Sequence, residues 1–150
     1  MSKETETWDD FELHIKSWDF YYAFGINNMP ETFKKEQYED MREHININIK
    51  AKVYNEEYFQ GIEDVDICIE PGNNYLDKKY NFIGIGSIHV KPKYNETSVY
   101  IKIPYNSFII LLEMLKMNKF NGITLSVGET EEDKDLVKFI AFQTENYDDD

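Results

Sequence analysis

The sequence predicts an α+β fold: a curved, mostly antiparallel sheet of about six to eight strands, half-barrel or sandwich-like, with one main helix at about 105–117. Three observations carry that reading. Several segments alternate apolar and polar residues with the two-residue period of a half-buried strand. One segment, with Phe108, Leu111, Leu112 and Leu115, has the spacing of a single helical face. Pro, Gly and Asn clusters punctuate the chain between them.

The first strand region begins near Trp8. Phe11, Leu13 and Ile15 share one parity, and Trp18, Phe20, Tyr22 and Phe24 share the other. The flip near Lys16-Ser17 requires a bulge, or a turn between two short strands. Gly25 to Arg42 is the least regular part; Asn27-Asn28-Met29-Pro30 is turn chemistry, and Phe33, Tyr38 and Met41 fit a short helix over about 31–40 that acts as a flap. The second strand alternates Ile45, Ile47, Ile49, Ala51 and Val53 with His44, Asn46, Asn48, Lys50 and Lys52. The third runs near Ile62 to Glu70, with Val65, Ile67 and Ile69 on one face and Asp64, Asp66, Cys68 and Glu70 on the other. Pro71-Gly72-Asn73-Asn74 turns the chain. The fourth strand spans about Asn81 to Lys91.

Ser98 to Val127 forms the central strand–helix–strand unit. Val99, Ile101 and Ile103 alternate with polar neighbours until Pro104, which has no N–H to give a ladder. The helix follows, with Asn106 or Ser107 placed to cap it and Lys116 and Lys119 placed to suit its C-terminal dipole. Ile110, Met114 and Met117 make a second apolar row. Either a loop covers that row, or the row is a homodimer or partner contact. Asn121-Gly122 breaks the helix, and Ile123, Leu125 and Val127 form a strand. Gly128 to Asp135 reads as an acidic loop. Leu136 to Gln143 is a last strand, apolar on both faces and therefore expected in the middle of the sheet.

The length fits a single domain, 1–150, with frayed acidic termini at 1–7 and 145–150. One cysteine, Cys68, excludes an internal disulfide. Met1 to Thr7 lacks an apolar signal region, and no run approaches a membrane span, so a cytoplasmic protein is expected. The charge is the dominant feature: 16 Lys and Arg face 29 Asp and Glu, for a formal net charge of −13. That argues against direct contact with nucleic acid or an anionic membrane, and it suits a basic protein partner.

No residue pattern carries catalytic chemistry. His14, His44 and His89 occupy predicted strands but lack a shared ligand spacing, and solvent-facing histidines are the simpler account. Asp64-x-Asp66 is too short a pattern to define a metal site. Gly84-Ile85-Gly86 is followed by strand residues rather than a helix, so a bulge or the close approach of another backbone explains it better than a phosphate loop. No cofactor is expected, and an enzyme has no support.

The functional signal is Val53 to Asp77, which contains no Lys or Arg. Its acids Glu56, Glu57, Glu63, Asp64, Asp66 and Glu70 are interleaved with Tyr54 and Tyr58. Asp64 and Asp66 project from one face about 6.6 Å apart. Aligned like charges repel, and tyrosines beside them supply contacts that acids cannot. The reading is an acidic inhibitor, an immunity protein or antitoxin that occludes the nucleic-acid site of a basic, nuclease-type toxin. A DNA mimic acting on another nucleic-acid-binding protein is the alternative, as is a ligand cup lined by Trp18, Tyr22 and Phe82. An acidic sheet edge that blocks aggregation is the plainer reading of the same stretch.

Overall fold

The computed structural model describes residues 8–26, 41–54, 61–72, 84–132 and 134–144. They build a closed barrel from β1 (Trp8–Ile26), β2 (Met41–Val53), β3 (Asp64–Pro71), β4 (Gly86–Lys91), β5 (Glu96–Ile103), β6 (Gly122–Gly128) and β7 (Leu136–Gln143), in the order β1-β2-β3-β5-β4-β7-β6. The strand number falls within expectation. The closure corrects the half-barrel or sandwich: β6 pairs back onto the first half of β1, from Trp8↔Gly128 to His14↔Gly122. All neighbours are antiparallel except β3 and β5, which run parallel because β4 lies on the far side of β5.

Alternation decides what fills the barrel. Val65, Ile67 and Ile69 point inward and are buried, as are Ile47, Ile49, Val99, Ile101, Ile123 and Leu125 from the neighbouring strands. β-Branched residues dominate because they suit both the pleat and a close-packed axis. Two glycine-scale details fit the sequence reading. The register of β1 against β2 shifts between Ile15 and Ser17, so Lys16 is the bulge and β1 is one strand rather than two. A Cβ on Gly86 would lie 2.0 Å from the Tyr100 carbonyl oxygen, the close backbone approach that Gly84-Ile85-Gly86 suggested.

The helix α1 (Tyr105–Lys116) starts after Pro104 and stops before Asn118, whose φ of 54° breaks the turn. Phe108, Leu111 and Leu115 are buried in the barrel's core, and α1 packs against β3 at the end of the barrel where β5 finishes. Neither Asn106 nor Ser107 caps it; Pro104 occupies that position and makes no side-chain cap. The second apolar row is half-buried at Met114 and open at its ends, where Ile110 is 64% and Met117 59% exposed.

The starts of β2 and β4, and the burial of β7, differ from the sequence reading. β2 begins at Met41, because its early residues pair with Ala23 to Ile26 of β1. β4 begins at Gly86, and residues 81–83 lie outside the described residues, as does the predicted helix over 31–40. β7 lies between β4 and β6, but it meets β4 only through Gly86↔Val137 and Ser87↔Leu136, and Phe139 is exposed. Its two apolar faces therefore do not reflect burial on both sides. Among the described residues no helix is long and apolar enough to cross a membrane.

Candidate partner-binding surface

The outward face of β3 is built as the sequence indicates. Asp64, Asp66 and Glu70 are exposed, and Cys68 between them is half-buried. The neighbouring strands add what the linear sequence hides. Lys52 stands opposite Asp64 and Lys50 opposite Asp66 on β2; Lys102 stands opposite Glu70 on β5. Lys16, lifted out by the β1 bulge, meets Asp64 at 3.3 Å, and Lys52 meets Glu63 at 3.4 Å. A stripe without lysine in sequence is thus flanked by lysines in space. These pairs are exposed, so each stabilises by about 0.2–1 kcal/mol. They still supply the structural benefit that the aligned acids lack by themselves. Ser17, Asp19, Asn48, Lys50, Asp66 and Tyr100 line a groove of ≈ 560 Å³ on this face.

Tyr54 is exposed at the other end of the stripe, and its ring lies 6.3 Å from that of His14. Its backbone N–H donates to the Glu12 carbonyl at 3.1 Å, and the Val53 N–H donates to the Glu63 carbonyl at 2.8 Å. Those two bonds bring the start of β1 alongside Tyr54 and Glu63. Glu56, Glu57 and Tyr58 lie outside the described residues.

Sequence reasoning did not single out Asp9, Asp10 and Glu12. The pairing of Trp8 to Leu13 with Ile123 to Gly128 sets Asp9 near Glu129, the first acid of the β6–β7 loop, and places Asp10 and Glu12 opposite Ser126 and Thr124. Asp10 accepts a hydrogen bond from the Ser126 hydroxyl. The Glu12 carboxylate accepts from the Thr124 hydroxyl at 3.0 Å and from the Gln143 amide at 3.4 Å. Asp9 stands at the rim against Glu129. Burial, a hydrogen bond shared with Glu129, and the charges of Glu129 and Asp10 together push its carboxyl above the usual carboxylate range. Among the described residues none of Asp9, Asp10 and Glu12 forms an ion pair. Lys134 is the nearby cation, and it is engaged by Glu131 at 3.1 Å. The one signal available in sequence was Asp9-Asp10-x-Glu12 itself, which gains meaning only once β6 is known to be its neighbour.

The remaining candidates do not gather. His14, His44 and His89 stand opposite Lys52, Ala23 and Ser98 respectively, at separate places on the barrel. His44 shares a cleft of ≈ 280 Å³ with Asn46, Glu70 and Tyr105. Among the described residues no three His, Cys, Asp or Glu side chains are placed to hold a metal ion. The Cys68 thiol is pushed up by burial and by the Glu70 charge, which keeps it protonated and poorly nucleophilic near neutrality. The interior of the sheet is occupied by aliphatic side chains; Trp18 is half-buried, Tyr22 is exposed beyond the barrel, and Phe82 lies outside the described residues. No protein-family model, curated protein or solved structure matches this chain.

Proposed function

We propose that this protein is a non-enzymatic, acidic protein-binding inhibitor whose partner is a basic protein, in the manner of an immunity protein or antitoxin. The target would be a nuclease-type toxin whose nucleic-acid site the acidic surface occludes. One observation carries the reading: Asp10 and Glu12 are met by hydroxyls rather than by cations along β1, and at its rim Asp9 lies against Glu129, its carboxyl raised by burial first and then by that neighbouring acid. A protein that keeps like charges adjacent loses stability by it, and a basic partner recovers that loss on binding. Asp10 and Glu12 project two residues apart along β1, about 6.6 Å, and so present a line of negative charge to a surface shaped for phosphates. Tyr54, Glu63 and Asp64 continue that line around β1, and Asp66 and Glu70 extend it along β3. The lysine-flanked part is the weaker electrostatic lure. The same surface suits inhibition of another nucleic-acid-binding protein as a DNA mimic; the activity of the captured partner separates the two.

The test is capture from host lysate by the wild-type chain and by the Asp10→Lys, Glu12→Lys double variant, at low and high salt. The expected result is a basic protein held by the wild type, lost from the variant, and inhibited in its own nucleic-acid chemistry when the wild-type chain is added. A captured protein that is retained equally by the variant and keeps full activity would contradict the proposal.

A further inference from the structure

β1 continues far past the barrel. Trp8 to His14 pairs with β6 and Leu13 to Ile26 with β2, so among the described residues Ser17 to Ile26 pairs with β2 alone, and β3 joins β2 only from Ile47 onward. Tyr21 to Ile26 and Met41 to Asn46 therefore form a two-stranded arm. Isolated two-stranded ribbons are marginal in water, so an arm of this kind gains from a surface to lie against. Its barrel-facing parity carries Phe20, Tyr22 and Phe24, which are 41%, 54% and 60% exposed. The helix adjoins that face. The Phe108 ring lies 6.4 Å from that of Phe20, and Tyr105 shares a cleft with Ile45, the cross-strand partner of Tyr22. Ile109, Ile110 and Met117 then carry exposed apolar surface along α1.

This surface differs from the rest of the molecule in charge. Trp18 to Ile26 contains a single charged residue, Asp19, which lies on the opposite face and accepts from the Asn48 amide at 3.2 Å. On α1 the charges Glu113 and Lys116 pair with each other at 3.4 Å. In a chain of net charge −13 the arm and helix are nearly neutral. On β2 the arm also carries Arg42 and Glu43, with Glu43 in register with Phe24, and their opposite charges leave the arm without a net negative charge to draw a basic partner. Two copies of the chain, which repel elsewhere, meet least repulsion through it.

The area is also of the right order. A large apolar side chain buries about 150–250 Å², so half-exposed it offers roughly 100 Å². Phe20, Tyr22, Phe24, Ile109, Ile110 and Met117 together present about 600 Å², at the top of what monomers leave uncovered. A standard interface takes about 800 Å² per partner, most of it apolar at its centre.

We infer that the exposed aromatic face of the β1–β2 arm, with the outer side of α1, is the contact of a two-fold homodimer. A two-fold axis makes the patch self-complementary and closes the assembly at two copies. The dimer and the acidic rim use different ends of the barrel, and salt acts on them in opposite directions. Added salt screens the repulsion between two acidic copies and tightens the dimer, whereas it weakens attraction to a basic partner.

Sedimentation of the purified full chain over a wide dilution series tests this. The expected result is a mass of two chains at high concentration that falls to one on dilution, with the midpoint moving to lower concentration as salt is added. Phe24→Lys with Ile110→Lys should raise the midpoint at least about tenfold without changing the melting temperature, since both positions are exposed. Tyr94→Lys, exposed on the Pro92–Tyr94 turn, should leave it unchanged. Should the double variant unfold, concentration-dependent hydrogen-exchange protection of the Ser17 to Phe24 amides in the wild-type chain replaces it. A constant single-chain mass, open-ended growth in mass, or a dimer that survives the double variant with those amides unprotected would each overturn the inference.

Discussion

The outer faces of β3 and of the first half of β1 are both rows of carboxylates on barrel strands, and they are managed in different ways. On β3, each acid has a lysine within one strand of it: Lys16 and Lys52 bridge Asp64 and Glu63, and Lys50 and Lys102 stand beside Asp66 and Glu70. On β1, Asp10 and Glu12 are met by the hydroxyls of Ser126 and Thr124, and Asp9 is met by another acid. A hydroxyl orients a carboxylate without cancelling its charge. The β3 row is therefore close to neutral at a distance of a few ångströms, whereas the β1 row projects its field into solvent. Acid content is the same kind of sequence signal in both; the neighbouring strand decides whether it is structural or available.

Charge reversal should separate the two rows most strongly. Asp10→Lys with Glu12→Lys is expected to slow association with a basic partner by about tenfold or more, because such steering follows the unscreened field. It should also flatten the salt dependence of the on-rate. Asp64→Lys with Asp66→Lys should slow association by roughly twofold and lower stability by less than about 1 kcal/mol, as Lys16 loses its ion pair and Lys50 and Lys52 lose the acids opposite them. Both effects are read from stopped-flow association and from thermal melts.

The comparison is sharpened by removing the cations instead. Lys16→Gln with Lys50→Gln and Lys52→Gln leaves Glu63, Asp64 and Asp66 in the condition of the β1 acids, with only Glu70 still facing Lys102. Association is expected to quicken by a factor of about two to three while the melting temperature drops slightly, since exposed pairs contribute little to stability. An unchanged on-rate would mean that the β3 row lies outside the steering surface.

The smallest effect concerns Asp9. Its folded-state pKa is raised, so the native state holds the proton more tightly than the unfolded chain does. Stability linked to that proton is fully present below the unfolded pKa and is lost as pH rises through the folded value. Asp9→Asn should accordingly raise stability at neutral pH by a small amount, about a few tenths of a kcal/mol after solvent screening, read as a slightly higher melting temperature. The gain should vanish at acid pH. A gain that persists at acid pH would point to packing rather than charge.

Much of the barrel was legible in the sequence because burial on one face leaves a strict two-residue period. Ile45 to Val53, Val65 to Ile69 and Ile123 to Val127 show that period and are strands, and Phe108, Leu111 and Leu115 show the helical one. The parity flip at Lys16 was visible for the same reason. Closure was not legible, because nothing local to Trp8–Leu13 records that β6 is its partner. The site suffered more. Val53 to Asp77 lacks lysine as a string, but strand pairing imports Lys16, Lys50, Lys52 and Lys102 from outside it. Asp9 to Glu12 carries too few residues to stand out until the β6–β7 loop lies against it. Alternation reports which way a side chain points, and only topology reports what it meets.

The most direct measurement is the association rate of the captured basic partner across a salt series, with the wild-type chain, the Asp10→Lys, Glu12→Lys variant and the Asp64→Lys, Asp66→Lys variant in parallel. The expected result is a steep fall of the wild-type rate with salt, a low and nearly flat line for the β1 variant, and a line close to wild type for the β3 variant. A β1 variant that tracks the wild type at every salt concentration would contradict the account, and the uncompensated rim would then play no part in partner recognition.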